Sequence, residues 1–166
     1  MERGSRIAPF VALLGLACGP TVEPVEVNHP DGYLQYRGQV EGGVRVGEWT
    51  LWYPNGQKEL QGTYVDGQRE GKWTSWYEDG SLKSVTEWRA DLEHGPWVQW
   101  HANGVKQQEG ECLDGERVGT WTFWYPDGKK REVSTWEANE RNGPAEEYDR
   151  DGLLTARGEF RNGLRQ

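Results

Sequence analysis

The chain has 166 residues, 34% of them hydrophobic, and a formal net charge of −8 from 27 Asp and Glu against 19 Lys and Arg. That length allows one domain or an extended repeat array and excludes a polytopic membrane protein, while the acidic balance argues against nucleic acid or an anionic bilayer as a broad electrostatic partner. Ten Trp stand beside only 3 Phe, and 23 Gly make about twice the ordinary usage, so a turn-rich β architecture is favoured over disorder or a helical core.

Residues 1–17 differ from the rest. Arg3 and Arg6 precede an apolar run over residues 7–17, broken only by Pro9 and Gly15, and Cys18-Gly19 follow. A run of about ten apolar residues is too short to cross a bilayer of about 30 Å as a helix, and the basic, apolar, small-residue order is that of a secretory signal. The segment Leu14-Gly15-Leu16-Ala17-Cys18 resembles a bacterial lipobox, with Ala17 as expected before the Cys and Gly15 where that pattern usually has Leu. The resemblance implies an exported lipoprotein with its lipid on Cys18, held at the outer membrane or on a periplasmic or extracellular face, and Gly19 carries no inner-membrane retention signal. The alternatives are an ordinary cleaved signal or an uncleaved apolar anchor. A lipidated Cys18 leaves Cys112 without an intramolecular partner, so no disulfide framework is expected. Residues 18–22 read as a tether.

From residue 23 the sequence repeats. Gly47-Glu48-Trp49, Gly71-Lys72-Trp73, Gly95-Pro96-Trp97 and Gly119-Thr120-Trp121 recur at intervals of 24 residues, and Gly143-Pro144-Ala145 keeps the phase. Six units, 23–46, 47–70, 71–94, 95–118, 119–142 and 143–166, tile the chain without insertion. Position 10 of the unit is always Gly after Asp or Asn, from Asp31-Gly32 to Asp151-Gly152, a strong hairpin signal. A second turn falls at positions 20 and 21, clear as Asp66-Gly67 or Asn162-Gly163 and weaker as Ala90-Asp91 and Ala138-Asn139. Each unit is therefore read as strand, turn, strand, turn. The fold class expected is all-β, an elongated, twisted antiparallel meander of about twelve strands, roughly 55 Å long at about 4.8 Å per strand.

All ten Trp occupy three unit positions. Position 3 holds Trp49, Trp73, Trp97 and Trp121, position 6 holds Trp52, Trp76, Trp100 and Trp124, and position 18 holds Trp88 and Trp136. Positions 3 and 6 differ by an odd number and so point to opposite faces, one row forming an inner core and the other staying partly exposed. Position 16 is Gly in four units and Thr86 or Ser134 in the others, always small, which makes room for a ring on a neighbouring strand. A two-residue turn at positions 9 and 10 would set position 16 opposite the Trp at 3. A three-residue turn ending in a Gly bulge, favoured by Pro54 and Pro126, would set it on the face of the Trp at 6.

The unit G-x-W-x-x-W-Y-x-[DN]-G-x5-G-x-[YW]-x-x-[DN]-G, read from Gly47 to Gly67, resembles the MORN-repeat variant of bacterial proteins labelled YwqK-type antitoxins. The resemblance covers residues 23–166 and implies an antiparallel hairpin array that acts in protein interaction, in membrane-junction scaffolding or at lipid head groups. The antitoxin label implies neutralisation of a partner toxin, which an exported lipoprotein does not suit.

The residues offer no catalytic constellation. His29, His94 and His101 form no metal-ligand spacing, and His29 and His101 stand at position 7, where other units have Tyr53, Tyr77 and Tyr125. Cys112 occupies position 18, an apolar position elsewhere, and reads as a buried structural thiol. No enzyme activity, cofactor or metal is expected. Three functions remain open: a scaffold that meets a protein partner through the Trp at positions 3 and 6, a binder of cell-wall saccharide or of a quaternary ammonium group, and a purely structural role for both Trp rows.

Overall fold

A computed structural model describes Gly19 and residues 21–166, so Cys18 and the signal-like segment lie outside the described residues. The described residues contain no helix. The strands are β1 (Val22–Asn28), β2 (Leu34–Glu41), β3 (Val44–Trp52), β4 (Lys58–Val65), β5 (Gln68–Trp76), β6 (Leu82–Arg89) and β7 (Leu92–Trp100). They continue as β8 (Lys106–Leu113), β9 (Glu116–Trp124), β10 (Lys130–Glu137), β11 (Glu140–Tyr148), β12 (Leu154–Arg161) and the two-residue β13 (Leu164–Arg165). All thirteen lie in one sheet in chain order, each antiparallel to the next. The strand beyond the expected twelve, β13, is a stub at positions 22 and 23, where an odd-numbered strand of the array begins. Odd strands from β3 onward run from position 22 of one unit to position 6 of the next, so strands cross the 24-residue boundaries.

Two kinds of turn alternate. At positions 20 and 21 both residues have positive φ, as in Asp66 (49°) and Gly67 (81°), the type I′ geometry whose twist matches the flanking strands. Ala90 and Ala138 adopt the same left-handed conformation at 49°, which disfavours an L-residue with a Cβ by about 1–2 kcal/mol. Ala90→Asn is therefore expected to stabilise the protein by up to about 1 kcal/mol, a rise of about 2–4 °C in thermal denaturation, and an unchanged or lower midpoint would contradict the strain argument.

At the opposite edge the turn is the three-residue form. The Tyr53 N–H donates to the Gln57 carbonyl and the Gly56 N–H to the Tyr53 carbonyl, both at 2.9 Å, around Pro54-Asn55-Gly56. The register consequence expected from this turn does not follow, because a second irregularity cancels it. Trp52 pairs with Lys58 but Leu51 pairs with Leu60, so Glu59 is skipped and Trp49 stands opposite Gly62. Position 16 is thus restored to the face of the Trp at 3.

A larger irregularity marks each unit junction. Gln39 pairs with Val46 and Arg37 with Thr50, leaving Gly38 against the three residues Gly47 to Trp49. The position-1 glycines carry this bulge with φ from 67° at Gly47 to 116° at Gly143, a conformation that favours Gly.

The turns also stitch neighbouring units together. The hydroxyls of Tyr53, Tyr77 and Tyr125 at position 7 donate to the position-6 carbonyls of the next unit, Trp76, Trp100 and Tyr148, at 2.8–2.9 Å. His29 and His101 do the same with Nε2, reaching the carbonyls of Trp52 at 2.9 Å and Trp124 at 3.2 Å. This fixes the Nε2–H form of the ring and gives physical content to reading these His as aromatic substitutes. On the type I′ edge, the position-21 N–H of Gly67, Asp91, Gly115, Asn139 and Gly163 donates to the position-23 carbonyl one unit back. Each repeat is held by its neighbours, as in other quasi-one-dimensional arrays.

Candidate contact surface

The two Trp rows have different environments. On the position-3 face, Trp49, Trp73 and Trp121 are 3%, 2% and 1% exposed, Ala145 of the last unit is also buried, and Trp97 is half-buried. Each fully buried Trp lies flat on the position-16 glycine of the preceding unit. A Cβ at Gly38, Gly62 or Gly110 would stand 2.2, 2.1 or 2.3 Å from the ring of Trp49, Trp73 or Trp121. The room predicted beside position 16 is therefore used across the unit junction, by the next unit's Trp, rather than within the hairpin.

The exceptions obey the same rule. Where position 16 is Ser134, the next unit has Ala145 in place of Trp, and where it is Thr86, the next Trp, Trp97, is only half-buried. The two hydroxyls also accept from indoles at position 18, Trp88 Nε1 to Thr86 Oγ1 at 2.6 Å and Trp136 Nε1 to Ser134 Oγ at 2.9 Å.

A second element of this face escaped the sequence reading. Position 23 is Arg45, Arg69, Arg117, Arg141 and Arg165 in five units and Glu93 in the third. The guanidinium carbon of Arg45 lies 4.5 Å from the Trp49 ring centroid, that of Arg117 4.5 Å from Trp121, that of Arg69 3.4 Å from Trp88, and that of Arg141 5.2 Å from Phe160. Such contacts contribute about 0.5–2 kcal/mol each; Arg45 and Arg117 cover rings of the inner row, Arg69 and Arg141 cover the position-18 rings beside it, and Tyr64 packs edge-on against Trp73 at 5.0 Å. The signal was present in the sequence as a recurring Arg two residues before four of the five position-1 Gly.

On the other face Trp52, Trp76, Trp100 and Trp124 are all half-buried. Their cross-strand partners are Lys58, Leu82, Lys106 and Lys130, and the ammonium groups of Lys58 and Lys106 lie over the next rings in the row, 5.7 Å from Trp76 and 5.9 Å from Trp124. Between Trp52, Lys58 and Trp76 runs an open groove of about 500 Å³. Of the eight Trp singled out from sequence, this row and Trp97 offer ring surface to solvent.

Cys112 is 4% exposed and packs with Trp121 and Phe123. Burial first, then the Glu93 carboxylate, pushes its thiol from the usual 9.0 up to about 11, so the neutral thiol predominates at neutral pH and is a poor nucleophile. Its folded pKa is raised, so the stability it contributes is fully present below about pH 9 and lost as pH rises toward 11. Native protein at pH 7 is expected to resist iodoacetamide at Cys112, with alkylation only after denaturant is added. Rapid labelling of the native state would contradict this burial. Among the described residues no group of three His, Cys, Asp or Glu side chains is placed to hold a metal ion.

The geometry defines an open-ended β-hairpin repeat array, with one face packed on itself and the other carrying half-exposed rings. Three segments of the chain, residues 45–66, 69–89 and 117–138, match the family model described as the MORN repeat variant. Each matched segment opens on a position-23 Arg, and the unit introduced by Glu93 lies between them. No curated protein matches the chain.

Proposed function

We propose that this is a non-enzymatic, exported scaffold, anchored through a lipid on Cys18 at the outer membrane or on a periplasmic or extracellular face, that meets a protein partner through Trp52, Trp76, Trp100 and Trp124. The observation that carries the reading is the half-exposure of all four rings of this row on a sheet whose opposite row is occupied in holding the units together. Large aromatics with few rotors make strong contact anchors, and a rigid array presents them at a fixed spacing. The flanking Lys58, Lys106 and Lys130 suit a partner surface with carboxylates at its rim. The lipid is supported by the Leu14–Cys18 sequence pattern.

Crosslinking in cells followed by mass spectrometry tests the scaffold: a discrete partner is expected, with adducts on the position-6 face, and a lone uncrosslinked monomer would overturn it. Cys18→Ser tests the anchor and is expected to abolish membrane partitioning. Unchanged partitioning would sink that part of the reading and leave the scaffold standing.

A further inference from the structure

The position-3 face is interrupted once. At four of the five unit junctions a position-23 Arg stacks on aromatic rings of the following unit; at the junction between the third and fourth units the residue is Glu93. Its carboxylate accepts from Trp97 Nε1 at 3.0 Å and from the Cys112 thiol at 3.7 Å, and no ion pair among the described residues includes it. Trp97 has no guanidinium over it, and unlike Trp73, which is buried without one, it is the one position-3 Trp that is not fully buried.

A cleft of about 280 Å³ opens there, walled by Trp73, Trp88, Trp97 and Leu60, with Arg69 and Glu93 also lining it. It exists because positions 5 and 14 of this unit are Ser75 and Ser84, hydrogen-bonded to each other at 2.7 Å, where the preceding unit has Leu51 and Leu60. The two cations that line the cleft, Arg69 and Lys83, already have partners. Arg69 is paired with Asp91 at 2.8 Å and stacked on Trp88 at 3.4 Å, and the Lys83 ammonium lies over Tyr77, 5.6 Å from the centroid.

We infer that this cleft binds a guanidinium group, paired with the Glu93 carboxylate and stacked on Trp97, in the place that Arg45 and Arg117 fill on Trp49 and Trp121. A half-buried carboxylate without a counter-ion beside a half-buried indole that no cation covers is complementary to a planar cation, which pairs with a carboxylate and stacks on a ring at once. The site lies on the face opposite the proposed contact row and does not depend on it.

The test follows the indole N–H signals of the intact protein by NMR during titration with N-acetyl-arginine amide, with its neutral citrulline analogue as control. A saturable shift of the Trp97 signal is expected with the arginine probe and not with citrulline, while Trp52 on the other face stays still. Glu93→Gln, which keeps the shape and an acceptor for Trp97, should weaken binding about tenfold, and Glu93→Arg should abolish it by filling the place from within the chain. Methylguanidinium separates the sources. Binding as tight as that of the arginine amide assigns the site to a small guanidinium solute, and much weaker binding to an arginine side chain of a peptide. No saturable shift, an equal response to citrulline, or unchanged affinity in both Glu93 variants would overturn the inference.

Discussion

Gly62→Ala is expected to destabilise the protein by about 3 kcal/mol, the upper end for an overpacked site, and to lower its melting midpoint by about 10 °C. The added methyl would stand 2.1 Å from Cδ2 and 2.3 Å from Cε2 of Trp73, a ring only 2% exposed that cannot retreat without leaving its bed. Gly110→Ala meets Trp121 in the same way, at 2.3 Å, and should cost a similar amount. Replacing Gly71 provides no such test, since its φ of 67° strains any other residue there whatever the space. Thermal or urea denaturation measures the effect. A loss below about 0.5 kcal/mol, the range of unremarkable substitutions, would mean that the Trp does not lie on the glycine.

Trp121→Ala should be costlier still, about 3–5 kcal/mol for a large aromatic removed from a packed site. Trp121 is 1% exposed, packs against Trp97 at 5.5 Å and Phe123 at 6.3 Å between ring centroids, and carries Arg117 on its face. Stability in an array is a sum of unit and interface terms, so loss of this interface is expected to separate the unfolding of the units before and after it and to broaden the urea transition. Trp124→Ala, three residues away on the half-exposed row, should cost about 1 kcal/mol or less and leave the transition sharp. Equal costs for the two would contradict the division of labour between the faces.

The sequence carries the period and both turns openly, because Gly after Asp or Asn at positions 9 and 10 and the pairs at 20 and 21 are residues that those backbone conformations select. It also carries the opposition of positions 3 and 6, which follows from strand alternation alone. Register was not legible. It depends on the skipped residue at Glu59 and on the two-residue excess at Gly47, and the first of these leaves no residue signature beyond a polar side chain. The position-1 Gly was visible as a marker of the repeat, but its need for positive φ, and hence its role as a bulge, appears only in the backbone. Which row is inner also could not be read from aromatic spacing, since both rows are Trp. The answer lies in pairs across the junction, Gly38 with Trp49 and Ser134 with Ala145, which are separated by 11 residues and belong to different units. The Arg at position 23, and the exception at Glu93, were legible in principle and lay outside the aromatic and glycine pattern that the repeat displays most strongly.

The position-3 Trp row is packed into the array while the position-6 row keeps its rings half-exposed. Replacing all ten Trp with 5-fluorotryptophan and adding a soluble paramagnetic agent reads the exposure of every ring in one ¹⁹F spectrum, with single Trp→Phe variants to assign the lines. The signals of Trp49, Trp73 and Trp121 are expected to stay sharp while those of Trp52, Trp76, Trp100 and Trp124 broaden together. Uniform broadening of both rows, or protection of the position-6 row, would contradict that arrangement.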